Sequence, residues 1–451
     1  MDCGATVKKG TRMGNPGRLK QFQFLFFYSD ELAAVKNRLR AFALVLLCAP
    51  LLAACSNAPK LHTLELDAAQ TCNGQAIKNQ FIVRFLNGKW AYIKAKSRAQ
   101  FIKKYIKPNL SKIDFVEPDE HIAAYQEAFS APTGSEINNW GDAAINAQAA
   151  WQAGDRGQGI VVAVVDSGVD ITHPQLKNQI DYNPGEMGLD AYGRDKRFNQ
   201  IDDDGNGYVD DWAGYNFLDN NGDMYDDVGH GTHVSGIIAA EHSDTTIQTG
   251  YVQGVAPEAK ILPVKFIGAN GGTLSDALKS IDYAVARGAK IINASWGGPG
   301  CSQSLQQKIE DLSKENILFV AAAGNSGENL DLYPEYPAAF SAPLQLTVGA
   351  IANTFLQDSY SNYSSHLVDL FAPGTAIVST VPPNLFPGGY ASFTGTSMAT
   401  PFVSGAAADL LSAGISVQKV RQLILQSVDQ NPTYTNVTQG RLDLGKAIAE
   451  L

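Results

Sequence analysis

Three short stretches of this chain carry side chains that can do chemistry together. Gly395-Thr396-Ser397-Met398-Ala399-Thr400-Pro401 puts a hydroxyl at the start of an apolar run: Phe402, Val403, Ala406, Ala407, Leu410 and Leu411. That spacing is helical, so Ser397 is expected at or just inside a helix N-terminus. Unpaired amides and the helix dipole favour negative charge there. A lone serine in such a place is ordinarily an N-cap. As a nucleophile it needs a base, and the base needs an orienting group. Gly229-His230-Gly231-Thr232-His233 offers the base. Two histidines so spaced suggest a metal pair, but no glutamate lies between them as in metalloproteases. His230 is therefore read as the reactive histidine and His233 as a packed, inward-facing one. Asp166, in Asp166-Ser167-Gly168, offers the orienting carboxylate, although Asp-Ser-Gly by itself is an ordinary turn.

Strands and helices must bring these three together. From Trp140 onward they alternate. Ile160–Val165 is a continuous β-branched run, as expected of a strand buried on both faces. Lys260–Phe266, Lys290–Ala294 and Ile317–Ala322 repeat the type. Helical patterns lie at Thr273–Arg287, Gln303–Asn316 and Ser416–Val428, the last with Ser416 as N-cap. The expected fold is α/β, a doubly wound, mostly parallel sheet. Sites in such sheets form at the carboxyl ends of strands, where Asp166 stands.

The three motifs, in the order Asp166, His230, Ser397, are similar to the catalytic motifs of the subtilisin-like serine proteases, the subtilases. The resemblance covers about Trp140 to Leu451. Ala321-Ala322-Ala323-Gly324-Asn325 resembles the stretch that carries the family's oxyanion-hole asparagine, which implies that role for Asn325. Asn293-Ala294-Ser295-Trp296-Gly297-Gly298 resembles the strand and turn beside the specificity pocket. Ser295, Trp296, Gly297, Ala322, Ala323 and Gly324 are then the implied substrate-binding residues. These walls are small or apolar and carry no acid, so a large apolar residue is expected before the scissile bond. The resemblance implies a serine endopeptidase acting through an acyl-enzyme, with no cofactor for catalysis.

Between Asp166 and His230 the chain is longer than in the simplest subtilisins. Asp202, Asp204, Asn206, Tyr208 and Asp210 fall at calcium-loop positions, with Ala213 where a bidentate glutamate is usual. A structural calcium is expected, with Asp211 as a candidate to close the site. The competing reading is a solvated acidic turn.

The chain has 451 residues and a formal net charge of −10, which argues against nucleic acid as a partner. Its five cysteines do not make a disulfide framework. Lys36, Arg38 and Arg40 precede an apolar run from Ala41 to Ala54 that has the form of a signal-peptide core. Leu52-Ala53-Ala54-Cys55 resembles the bacterial lipoprotein box, which implies lipidation of Cys55; Ser56 resembles outer-membrane sorting. The expected divisions are 1–34, a spurious extension if Val35 is the true start; 35–54, a lipoprotein signal peptide; 55–78, a tether; 79–125, a prodomain-like segment; 126–139, a linker; and 140–451, the catalytic domain. Val116-Glu117-Pro118-Asp119 and the tail to Tyr125 resemble the end of a subtilase prodomain. Within the segment, Gln80–Phe85 and Ile113–Glu117 read as strands and Ser97–Ile106 as a helix.

The expectation is an exported, self-processed enzyme of the cell envelope, lipid-anchored before processing. Its partners are protein or peptide substrates and its own prodomain. Cutting near Tyr125 would release the catalytic domain unless Cys72 and Cys301 pair. The rival is a non-enzymatic surface lipoprotein that keeps the fold for binding.

Overall fold

Residues 74–123, 127–130, 140–242 and 252–451 are described by the computed structural model. Cys55, the signal region, Cys72, Tyr125 and most of the expected linker lie outside the described residues.

The apolar runs pair as a nine-stranded sheet. The strands of the chain are β1 (Gln75–Phe85), β2 (Trp90–Lys94), β3 (Ile113–Ile122), β4 (Ala128–Ser130), β5 (Val161–Asp166), β6 (Tyr215–Asn216), β7 (Lys260–Lys265), β8 (Ile267–Gly268), β9 (Gly271–Thr273), β10 (Ile291–Ala294), β11 (Leu318–Ala322), β12 (Gln345–Ile351), β13 (Leu370–Pro373), β14 (Ile377–Thr380), β15 (Tyr390–Thr394), β16 (Asp429–Gln430) and β17 (Gly440–Arg441). The large sheet has the order β16-β17-β13-β12-β11-β10-β5-β7-β6. Its pairs from β6 to β17 are parallel, and only β16 runs against its neighbour. The α/β, mostly parallel expectation is met. Every residue of β10, β11, β12 and β13 is buried, because helices cover both faces.

Five helices frame the site: α1 (His230–Ala239), α2 (Leu274–Ala286), α3 (Gln303–Lys314), α4 (Thr396–Ser412) and α5 (Val417–Gln426). The hydroxyls of Thr273, Ser302 and Ser416 cap α2, α3 and α5, as Ser416 was expected to do. Helix α4 contains Pro401 near its start. Proline has no N–H for the carbonyl four residues back, that of Ser397. The hydroxyl of Ser295 donates to that carbonyl instead, at 3.0 Å.

The N-terminal segment makes a second sheet, β2-β1-β3-β9-β8, around Phe81, Val83, Phe101 and Ile106. Several boundaries differ from the sequence expectation. The first strand begins at Gln75, inside the expected tether, and β2 was not foreseen. The helix at Arg98–Phe101 widens into a π-helix at Ile102–Ile106. The second expected strand runs on through Pro118 to Ile122, because β9 of the large domain pairs with its end, His121 against Thr273 and Ile122 against Gly272. The expected linker is not all linker: Ala128–Ser130 forms β4 on the edge of β15.

Two acids of β3 hold this segment down. Asp119 accepts from the N–H and hydroxyl of Ser275, at 2.9 and 2.7 Å, at the start of α2. Glu117 accepts from the Ser302 hydroxyl and the Gln303 and Ser304 amides at the start of α3. Both satisfy orphan amides where the dipole favours a negative charge. Cys301, beside the second of these contacts, is disulfide-bonded. Replacing Glu117 or Asp119 by alanine should loosen β3 by about 1 kcal/mol each. Hydrogen exchange of the β3 amides should then be roughly fivefold faster; unchanged protection would contradict the docking role.

Candidate active site

Asp166 is the last residue of β5 rather than the first of the turn after it, and is 1% exposed. One carboxylate oxygen accepts from the Ser167 amide and lies 2.7 Å from Nδ1 of His230. His230 opens α1. The helix can come this close only because residue 231 is glycine: a Cβ there would lie 2.1 Å from the Gly168 carbonyl. His233 turns inward as expected, its ring stacked 4.3 Å from Phe393 and its Nε2 facing the carbonyls of Ile377 and Ala391. Burial, with the charge of His230, pushes its pKa down to about 3.

An acid that the sequence reading passed over ties the two loops together. Asp226 is 1% exposed and accepts from the hydroxyls of Ser167 and Thr232 and from the amides of Gly229 and Thr232. The Ser167 hydroxyl in turn accepts from Gly231 N–H. A buried carboxylate is tolerated when its oxygens are filled this way. Its signal was an acid four residues before His230, in a loop already rich in acids.

Ser397 is fully buried in the first turn of α4. Its hydroxyl donates to the Ser295 carbonyl at 3.2 Å and not to His230. Asn325 follows β11 and Gly324, and its side-chain oxygen accepts from the amide and hydroxyl of Thr396, both at 2.8 Å. Those bonds fix the amide plane and leave Nδ2 buried with no partner among the described residues. Nε2 of His230 faces a residue the sequence reading did not single out, Glu127, at 3.1 Å. Burial pushes the imidazole pKa down, but the Asp166 and Glu127 carboxylates outweigh it and hold His230 well above the ordinary histidine value.

Trp296 and Gly297 line a cavity of about 680 Å³ together with Ile122 and Ala123 of the N-terminal segment. The Trp296 indole donates to the Val165 carbonyl, so its ring is a fixed wall. Ser295, Ala322 and Ala323 are buried behind. One premise about the walls is corrected. An acid is present: Tyr336 pairs with Gly298, which brings the preceding Glu335 under Gly324, where a Cβ would lie 2.4 Å from the Glu335 carboxylate.

In the acidic insert, the ligand atoms of Glu186, Asp202 and Asp204 lie within 4.8 Å of one another. Glu186, well ahead of the loop, was missed. It is fully buried; one oxygen accepts from the Asp203 and Asp204 amides and the other has no partner among the described residues. Asn206 donates to Asp204 and Asp211. Asp211 is itself taken up by Asn183 and Tyr283. Asp210 accepts from the Gln200 amide, and the Tyr208 ring packs against Tyr215, Phe217 and Tyr283, so neither side chain joins the three acids. An orphan carboxylate oxygen among acids suits a hard cation.

The Subtilase family model matches residues 157–442. The chain is 34% identical over 313 residues to thermitase of Thermoactinomyces vulgaris, covering 68% of this chain and 95% of that protein. It is 38% identical over 268 residues to the major intracellular serine protease of Bacillus subtilis (strain 168), covering 58% and 72%. Among solved structures it is similar in fold to fervidolysin from Fervidobacterium pennivorans, a keratinolytic enzyme related to subtilisin, with a TM-score of 0.64 at 24% identity over 84% of this chain and 62% of that one.

Proposed function

The chain belongs to the subtilase family and is a serine endopeptidase, and from that premise we propose that Asp166, His230, Ser397 and Asn325 are the residues that act. The observation that carries this assignment is the buried 2.7 Å contact of Asp166 with His230. It fixes Nδ1 as the protonated nitrogen and leaves Nε2 to work as base. Neutral His230 takes the proton of Ser397 as the hydroxyl oxygen attacks a peptide carbonyl. The proton goes to the leaving amine as the C–N bond breaks and an ester forms. Water, deprotonated by the same imidazole, hydrolyses the ester and restores Ser397. The buried Nδ2 of Asn325 and the Ser397 amide stabilise the oxyanion. Ser397→Ala should lower turnover on the order of a million-fold, and Asn325→Ala about a hundred- to a thousandfold. Near-normal turnover on a peptide substrate in either variant would refute its role.

Small, apolar walls support a large apolar residue before the scissile bond. Glu335, under Gly324, favours a second reading, lysine or arginine there. A peptide library decides between them: an apolar preference insensitive to Glu335→Gln supports the first, a basic preference lost in that variant the second.

Glu186, Asp202 and Asp204 would hold a structural calcium with hard carboxylate oxygens. It would neutralise the acids of the insert and takes no part in hydrolysis. Calcium at about a hundred times its dissociation constant should stabilise the protein by about 2.7 kcal/mol. Glu186→Gln should lose most of the resulting shift in Tm. Identical melting in chelator and in millimolar calcium would remove the site.

The enzyme is further proposed to be exported, lipidated on Cys55 and self-cut between Tyr125 and Trp140. Seating of Ile122 on β9, next to Ala123 in the cavity, supports a chain delivered to its own cleft. Release after cutting was the sequence expectation, and the bonded state of Cys301 argues for retention. Every other cysteine precedes Tyr125, and of these Cys72 is the one that follows the lipobox. A Cys72–Cys301 bond would keep the cut enzyme on its anchor. Membrane fractionation tests this: cut enzyme should leave the membrane only with reductant, and release without reductant would defeat the tether.

A further inference from the structure

The segment before the large domain makes a further strand, in a sheet other than that of β9. There β4 adds to the edge of β15, antiparallel, with Ser130 opposite Ser392, Phe129 opposite Phe393 and Ala128 opposite Thr394. The Phe129 ring meets Phe386 edge-on at 5.8 Å and Phe393 at 6.3 Å. Main-chain pairing and two aromatic contacts therefore fix the residue just before β4. That residue is Glu127, and its carboxylate points into the site. One oxygen is 3.1 Å from His230 Nε2, and both side chains are 7% exposed. The other oxygen is buried without a partner among the described residues. A Cβ on Gly395 would lie 2.9 Å from the first oxygen and 3.1 Å from Asn325 Nδ2, so the carboxylate stands in the space the reacting carbonyl needs.

We propose that Glu127–Ser130 is a built-in lock on the leaving-group side of the cleft: an added strand that seats the Glu127 carboxylate on Nε2 of His230 and takes the base away from Ser397 in the uncut chain. The proposal rests on the reading of His230 as the base. It accounts for the one contact that reading lacks. The Ser397 hydroxyl is turned to the Ser295 carbonyl because its partner is occupied. It also separates two restraints. The N-terminal sheet docks through β3 on β9, before Tyr125, whereas the lock lies after it.

The charges around the imidazole give the lock a pH dependence. Asp166 faces Nδ1 from the end of β5 and Glu127 faces Nε2. Asp226 is spent on Ser167, Thr232 and the Gly229 amide. His233, one turn along α1, is held neutral by burial. Tyr360, whose hydroxyl meets Thr375, lies beyond Glu127. Between two carboxylates His230 is held protonated, with its pKa raised. A histidine raised in the folded state contributes stability that is complete below its unfolded value, about 6.5, and is lost as pH rises through the folded value. The lock therefore holds through neutral pH and loosens in alkali.

The test uses the full chain. With Ser397→Ala it stays uncut, and ring-nitrogen NMR follows the titration of His230. Adding Glu127→Gln should lower the His230 midpoint by about one pH unit or more, the scale of one charge-assisted contact. With Ser397 intact, Glu127→Gln should cut itself roughly tenfold faster at pH 7. Self-cutting of the unaltered chain should speed up as pH rises past the His230 midpoint. An unmoved midpoint, or self-cutting no faster in Glu127→Gln, overturns the lock. Loss of the serine-protease reading looks different: neither chain would cut itself or a peptide, while the midpoint would still fall.

Discussion

A carboxylate and an imidazole 2.7 Å apart, both out of water, set the condition that the rest of the structure meets. Placing Asp166 at the end of a strand inside a sheet costs desolvation. That cost is offset by filling one of its oxygens, which takes both the Ser167 amide and the imidazole, and by fixing the loop around it. Asp226 does the second job by joining the Asp166 loop to the first turn of α1 through Ser167, Gly229 and Thr232. Gly231 does it again by letting the helix touch the Gly168 carbonyl. The imidazole has little freedom to turn, which is what a base needs if it is to serve one serine.

The sheet supplies the other side. Parallel strands β5, β10 and β11 end on one edge, so Asp166, Ser295 and Asn325 reach a common place from three strands. Helix α4 enters there with Ser397 in its first turn. Asn325 bonds Thr396, and Ser295 bonds the carbonyl of Ser397, so strand ends and helix start are cross-linked. The orphan Nδ2 of Asn325 is a buried donor held in place before any substrate arrives. Preorganisation of this kind gives electrostatic stabilisation its value, because no reorganisation is needed when charge develops.

The sequence was legible where a residue's type and its element coincide. Buried β-branched runs, helical spacing after Ser397 and caps such as Ser416 are local signals, and they placed the sheet, α4 and α5. Asp166, His230 and Asn325 were readable because each stands at the end or start of such an element. What escaped depends on contacts far apart in sequence. Asp226 looked like one more acid in an acidic loop. Glu186 meets Asp202 and Asp204 only after the insert folds back. Glu335 reaches Gly324 because Tyr336 pairs with Gly298. Ala128–Ser130 reads as linker until the edge of β15 makes it a strand, and Glu127 gains meaning only from that docking. The continuation of β3 through Pro118 is of the same kind, since β9 of the other sheet half supplies its partner.

The central claim is that Ser397 is made nucleophilic by His230 and Asp166 in one site. A fluorophosphonate that reacts only with activated serines, followed by mass spectrometry of the labelled peptide, tests it most directly. The account predicts a single adduct on Ser397, formed by the cut enzyme, and its loss in His230→Ala. No adduct on the cut enzyme, an adduct on another serine, or undiminished labelling of Ser397 without His230 would contradict it.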